Sequence, residues 1–138
     1  MRFLLALAAA TLSAQAPPLL LSPEQLAARL REPNLVLLHV GSPADYAAGH
    51  IPGARLVTLA DLSLTGPPPR NLRLELPPAD TLRAALLKLG VSNDSFTVIY
   101  PGNDSIQSAT RVWFTFDYLN LRAALLDGGL TSWSGERS

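Results

Sequence analysis

The residues of this chain best suited to acid–base or nucleophilic chemistry are two histidines and two serines. His39 lies inside an apolar run, where a histidine is usually a hydrogen-bonded core side chain. His50 lies in a glycine-rich loop, and we expect it to fix that loop by hydrogen bonds to the backbone. Ser105 and Ser108 have no G-x-S-x-G elbow around them and no base nearby in the sequence. We therefore expect both serines to cap a helix rather than to act as nucleophiles.

Neither a metal centre nor thiol chemistry is expected from the residue types. A zinc site needs three or four ligands, and two histidines with scattered carboxylates provide no ligand spacing. The sequence contains no cysteine, which excludes disulfides, thiolate ligands and a cysteine nucleophile on this chain. We therefore predict no metal and no cofactor.

The composition limits the size of the domain and the class of partner. The 138 residues are 48% hydrophobic, which indicates one modest domain. Lys+Arg 11 balance Asp+Glu 11, and the chain has a single lysine, Lys88. Because clustered basic residues carry affinity for phosphate, we expect no nucleic-acid binding.

Strand and helix patterns alternate along the sequence, which favours a parallel sheet with helices on both faces. Ser22, Pro23 and Gln25 supply an N-cap, a first-turn proline and a capping-box residue, so a helix should begin there. Apolar runs predict strands at residues 35–40, 55–58, 95–100 and 123–126. Further helices are expected at residues 44–48, 81–89 and 106–119.

Two local features refine these boundaries. Asp80 is expected to cap the helix 81–89, and Gly90 to end it in the left-handed conformation. The stretch 64–78 holds five prolines and is expected to be an irregular connection.

Trp113 and Trp133 are expected to anchor the core.

Ligand sites of open parallel sheets lie beyond the carboxyl ends of the strands. The loop that follows strand 95–100 is therefore the first place to look for one. It consists of Pro101, Gly102, Asn103, Asp104, Ser105, Ile106 and Gln107. The N–H groups at the start of the next helix can bind a small anion. The same residue types fit a plain strand-to-helix turn equally well, so both interpretations stay open.

The first sixteen residues have the pattern of a secretory signal peptide. Arg2 precedes a ten-residue apolar run, 3–12, and an A-x-A pattern ends at Ala16. Ten apolar residues are too few to span a bilayer, which needs about 20. We expect residues 1–16 to be removed and residues 17–138 to form one exported domain, periplasmic or extracellular, without a stable membrane span.

Three segments resemble rhodanese-like domains. Residues 45–54 are similar to the D-Y-x-x-G-H-I-P-G-A segment of that family through Asp45, Tyr46, Gly49, His50, Pro52 and Gly53. The closing G-G-x-x-x-W motif is matched by Asp127, Gly128, Gly129 and Trp133. Residues 109–114 resemble the A-x-R-V-W-W stretch of the non-catalytic first domain of tandem thiosulfate or 3-mercaptopyruvate sulfurtransferases.

The resemblance implies an α/β fold with a central parallel sheet of about five strands and helices on both faces. It also implies that active members carry a persulfide-forming cysteine directly after strand 95–100. Pro101 stands at that position, and proline offers neither a nucleophile nor an N–H group. His39 and Gly41 are further departures, because members of the family commonly have there an Asp and an Arg that brace the domain.

The sequence leaves more than one function open. We expect a non-catalytic rhodanese-like domain, the N-terminal half of an exported sulfurtransferase whose catalytic, cysteine-bearing domain lies outside these 138 residues. The alternative is a free-standing inactive module that binds a small anion or a partner protein. An enzyme that uses Ser105 or His50 has the least support, because no catalytic triad can be assembled from the sequence.

Overall fold

A parallel sheet forms the centre of the computed structural model, which describes residues 16–67, 73–103 and 106–138. The strands in these residues are β1 (Leu20–Leu21), β2 (Leu35–Val40), β3 (Arg55–Val57), β4 (Phe96–Pro101) and β5 (Ala123–Leu126). Their spatial order is β1-β5-β4-β2-β3, and every neighbouring pair is parallel. All carboxyl ends therefore lie at one edge, and the predicted α/β class is confirmed.

Helices cover both faces of the sheet, as predicted. They are α1 (Pro23–Arg29), α2 (Pro43–Ala48), a 3₁₀ helix (Leu59–Leu62), α3 (Ala79–Lys88), α4 (Ile106–Tyr118) and α5 (Gly129–Ser132). Because side chains alternate along a strand, Leu37 and Leu38 of β2 enter separate cores. The Leu38 side packs against α3 and α4, and the Leu37 side against α1 and α5. No helix in the described ranges is long and apolar enough to cross a membrane.

Local capping chemistry sets several boundaries where the sequence predicted them. Ser22 caps α1 with both hydrogen bonds of the capping box, to and from Gln25. Gly90 follows α3 with φ +79°, which is the expected left-handed end. The predicted role of Asp80 is wrong, because α3 begins at Ala79 and Pro78 occupies the cap position. The fixed φ of Pro78 suits a helix entry, and its carbonyl accepts the first helical bond from Leu82.

Some elements lie outside the sequence predictions. The short strand β1 and helix α5 were not predicted, and the predicted strand 55–58 ends at Val57 because Thr58 bonds Asp61 of the 3₁₀ helix. In the stretch expected to be irregular, Leu64 and Glu75 pair as an antiparallel bridge. Residues 68–72 of that stretch, and residues 1–15 of the predicted signal peptide, lie outside the described residues.

Candidate functional site

The carboxyl edge of the sheet holds the loop in which the sequence predicted a site. Pro101 is the last residue of β4 rather than the first of the loop, because it pairs with Val40 and Gly102 N–H donates to the Val40 carbonyl at 3.1 Å. Asp104 and Ser105 lie outside the described residues. Ile106 and Gln107 are the first residues of α4.

Ser108 does not cap a helix, contrary to the prediction. Because α4 begins at Ile106, Ser108 is the third residue of the helix and lies past the cap position. Its side chain is buried.

Pro101 is enclosed by the turn that follows β5. Pro101 is buried. A Cβ built on Gly129 would lie 2.9 Å from Cγ of Pro101. Gly129 also has φ +59°, a conformation that favours glycine. The second glycine of the closing motif thus leaves room for the residue that ends β4.

A carboxylate next to this loop joins three elements of the chain. Asp45 lies in the first turn of α2, and its side chain is 10% exposed. Its Oδ2 lies 3.3 Å from His39 Nε2 of β2 and accepts the Asn103 N–H at 2.9 Å. The Asn103 side-chain amide donates to Oδ1. We call His39, Asp45 and Asn103 the bracing network.

His39 is the fully buried member of the bracing network. Burial lowers the pKa of His39 below its usual value, and the hydrogen bond and charge of Asp45 oppose this only in part. A neutral imidazole has one N–H, and the contact with Asp45 assigns that proton to Nε2. Nδ1 is then an acceptor, and it has no hydrogen-bond partner among the described residues. The expectation of a hydrogen-bonded core histidine therefore holds for one ring nitrogen only.

Two glycines give the bracing network its space. A Cβ built on Gly41 would lie 2.6 Å from Asp45 Oδ2, and one built on Gly102 would lie 2.5 Å from His39 Cε1. Both separations are too short for a real side chain. The two departures from the resemblance, His39 and Gly41, therefore belong together: the histidine contacts Asp45, and the glycine leaves room for that contact.

The segment 45–54 fixes its own loop by hydrogen bonds to backbone carbonyls. His50 Nδ1 lies 2.9 Å from the Tyr46 carbonyl, and the two rings stack with centroids 3.7 Å apart. The predicted role of His50 in fixing the loop is confirmed. The Tyr46 hydroxyl donates to the Ala54 carbonyl at 2.7 Å, which closes the turn through Pro52 and Gly53. Gly53 has φ +83° in that turn, so a residue with a side chain would be strained there.

The closing motif ties the end of the sheet to the final residues. Asp127 N–H donates to Leu21 of β1 at 2.9 Å, and Gly128 precedes α5 with φ +75°. Trp133 is buried and its Nε1–H donates to the Glu136 carbonyl at 3.0 Å, so its predicted core position is confirmed. Trp113 is only partly buried, and its Nε1–H donates to Ala123 of β5 at 3.2 Å.

The arrangement offers structure rather than reactive groups. The N–H groups of Gly102 and Asn103 are engaged by the Val40 carbonyl and the Asp45 carboxylate. An open hollow of about 550 Å³ lies beside them, lined by Ser42, Ala44, Asp45, Ala48 and Asn103. Within the described ranges, no three His, Asp or Glu side chains are grouped as a metal ion would require. The link from Asp45 to Asn103 was not predicted from the sequence, although α2, which carries Asp45, follows β2, and Asn103 follows the neighbouring strand β4.

Known proteins are similar to this chain over most of its length. The model of the rhodanese-like domain family matches residues 22–136. A thiosulfate sulfurtransferase of Azotobacter vinelandii is 35% identical over 119 residues, which cover 86% of this chain and 43% of that protein. A 3-mercaptopyruvate sulfurtransferase of Escherichia coli is 33% identical over 91 residues, covering 64% of this chain and 31% of the relative.

A solved structure shares the fold. The 3-mercaptopyruvate sulfurtransferase from Leishmania major superposes with a TM-score of 0.72 at 20% identity, covering 85% of this chain and 35% of that one. The chain thus spans less than half the length of the curated relatives it matches.

Proposed function

Because the chain belongs to the rhodanese-like domain family, we propose that it is the non-catalytic N-terminal half of an exported thiosulfate or 3-mercaptopyruvate sulfurtransferase. Its role is to support and shape the cleft of a cysteine-bearing second domain. The observation that carries this proposal is the sequence itself, which has no cysteine and has Pro101 at the end of β4. Sulfur transfer through a persulfide needs a thiolate, so this domain cannot form the intermediate.

The hydrogen bonds of the loop support an inactive role. A persulfide is an anion, and its stabilisation requires N–H groups that are free to point at it. The first two N–H groups after Pro101 already serve acceptors within the domain, one of them the carboxylate of Asp45. These bonds tie Gly102 to β2 and Asn103 to α2.

The same bonds weaken the alternative of a free-standing module that binds a small anion. The Asp45 carboxylate places a negative charge against Asn103, where an anion at the loop would have to approach. The negative charge of Asp45 would repel an anion that approached there. Binding of a partner protein is the remaining form of the alternative.

Sequencing the gene beyond the codon for Ser138 tests the proposal. We expect an open reading frame that continues into a second rhodanese-like domain with a cysteine directly after its central strand. A stop codon after Ser138 would contradict the proposal and favour the free-standing module. Export is tested separately by fractionating cells that express the tagged protein, with the expected result that the tag is found outside the cytoplasm on a chain shortened at its N-terminus.

A further inference from the structure

The outer face of α4 carries large apolar side chains that no other described segment of the chain covers. Ile106, Phe114 and Tyr118 are 53%, 48% and 52% exposed. Their spacing of eight and four residues keeps them within about a third of the helix circumference, since each residue turns the helix by roughly 100°. The opposite side of α4, with Val112 and Phe116, is buried in the core.

The face of α4 differs from that of α3, the neighbouring long helix. The exposed residues of α3 include Asp80, Arg83 and Lys88, the usual charged surface of a helix in water. On α4 the only charged residue that is exposed is Asp117. A helix face of this kind is typical of a surface that contacts another protein.

A hollow next to this face adds a place for an anchoring side chain. With Ala16 in place it has a volume of about 280 Å³, and its lining also includes Leu19, Trp113, Asp117 and Arg122. Leu19, which lines the hollow, and Leu20 of β1 are both about half exposed. Interfaces between proteins commonly centre on one large side chain that fills such a hollow.

We propose that the α4 face, meaning Ile106, Phe114, Tyr118 and the hollow beside Trp113, is the contact surface for the second rhodanese-like domain of the same polypeptide. This inference rests on the proposed function. The chain matches only 43% and 42% of the length of two thiosulfate sulfurtransferases. The unmatched part of each relative is longer than the matched part, which is room enough for a second domain.

The chemistry of the α4 face defines what the second domain must present. It needs an apolar surface with one large side chain for the hollow, whose lining carries one acidic and one basic residue, Asp117 and Arg122. Tethering in one polypeptide gives the two surfaces a high effective concentration, which lowers the contact area that a stable pair requires.

Hydroxyl-radical footprinting of the full-length protein, read by mass spectrometry, tests the assignment. Leu87 of α3 is 67% exposed and provides an internal reference on another surface. We expect Phe114 and Tyr118 to react at least about fivefold more slowly than Leu87 relative to their intrinsic reactivities, because an interface core excludes water. The variant Phe114→Asp should restore the labelling of Tyr118, and the matched variant Leu87→Asp should leave it unchanged.

The possible failures are distinguishable. If a second domain is present but Phe114 and Tyr118 react as fast as Leu87, the α4 face is not the contact and the proposed function stands. Protection that disappears on dilution would identify a second copy as the occupant and overturn the inference. A gene that ends at Ser138 would overturn both proposals.

Discussion

Replacing Asp45 with alanine is expected to destabilise the domain by about 3 kcal/mol, far more than removal of an exposed carboxylate. The substitution removes the acceptor shared by His39 Nε2, the Asn103 N–H and the Asn103 side-chain amide. It also separates α2 from the residues that follow β4. We therefore expect a large loss of stability from a substitution in the first turn of a short helix.

The magnitude follows from the burial of each donor. His39 is 0% exposed, so its Nε2–H would lose its acceptor without gaining water, which costs about 1–3 kcal/mol. Asn103 is exposed, so water replaces the carboxylate and the two lost bonds together cost about 1 kcal/mol. The favourable interaction of Asp45 with the N-terminus of α2 adds about 0.5 kcal/mol. For a domain of this size the total corresponds to a fall in Tm of roughly 12 °C.

Urea denaturation near neutral pH measures the effect, with Asp80→Ala as the matched control. Asp80 is also a carboxylate in the first turn of a helix, but it is exposed and makes none of these contacts. Asp45→Asn should fall between alanine and the native residue, because its carbonyl can still accept from His39 while its NH₂ group opposes one donor of Asn103. If Asp45→Ala lies within about 0.5 kcal/mol of Asp80→Ala, the bracing network does not contribute as described.

Further predictions concern the same edge of the sheet. Burial lowers the pKa of His39, so the unfolded chain binds its proton more readily, and stability should fall as the pH drops below about 6.5. Urea titrations at several pH values across that range should show a smaller fall in the free energy of unfolding for His39→Gln than for the native protein. The same dependence on pH in both would contradict the lowered pKa of His39. Gly102→Ala should cost about 2 kcal/mol because its Cβ would overlap Asp45 and His39, and a double-mutant cycle should find a smaller cost in an Asp45→Ala background. Pro101→Cys should form thiocyanate from thiosulfate and cyanide at least about a thousandfold more slowly than a cysteine-bearing relative, since the Gly102 and Asn103 N–H groups are engaged. A rate near that of the relative would show that the loop can still stabilise a persulfide.

Elements with strong local signals could be predicted from the sequence. The strands β2 and β5 match the predicted ranges because each is an apolar run, interrupted in β2 only by His39, that is buried or nearly so on both faces. The start of α1 is correct because Ser22 and Gln25 form a capping box that needs no distant partner. By contrast, β1 is a strand only because Leu20 and Leu21 pair with β5, a contact across more than a hundred residues.

The bracing network was beyond sequence reasoning for a similar reason. His39 and Asp45 are six residues apart, but Asn103 follows Asp45 by 58 residues and meets it only because β4 pairs with β2. The resemblance indicated that His39 and Gly41 replace a bracing pair, without indicating what takes its place. The available signal was positional: Asp45 and Asn103 each follow a strand, and those strands are neighbours in the sheet.

Sulfur transfer by the isolated chain decides whether this domain is catalytically inert. Purified residues 17–138, checked for a cooperative unfolding transition, would be given thiosulfate with cyanide and, separately, 3-mercaptopyruvate with a thiol acceptor. We predict no product above the buffer background and no added sulfur on the intact protein by mass spectrometry, because the chain has no thiol. Turnover, or a sulfur adduct on any residue, would contradict the assignment of a non-catalytic domain.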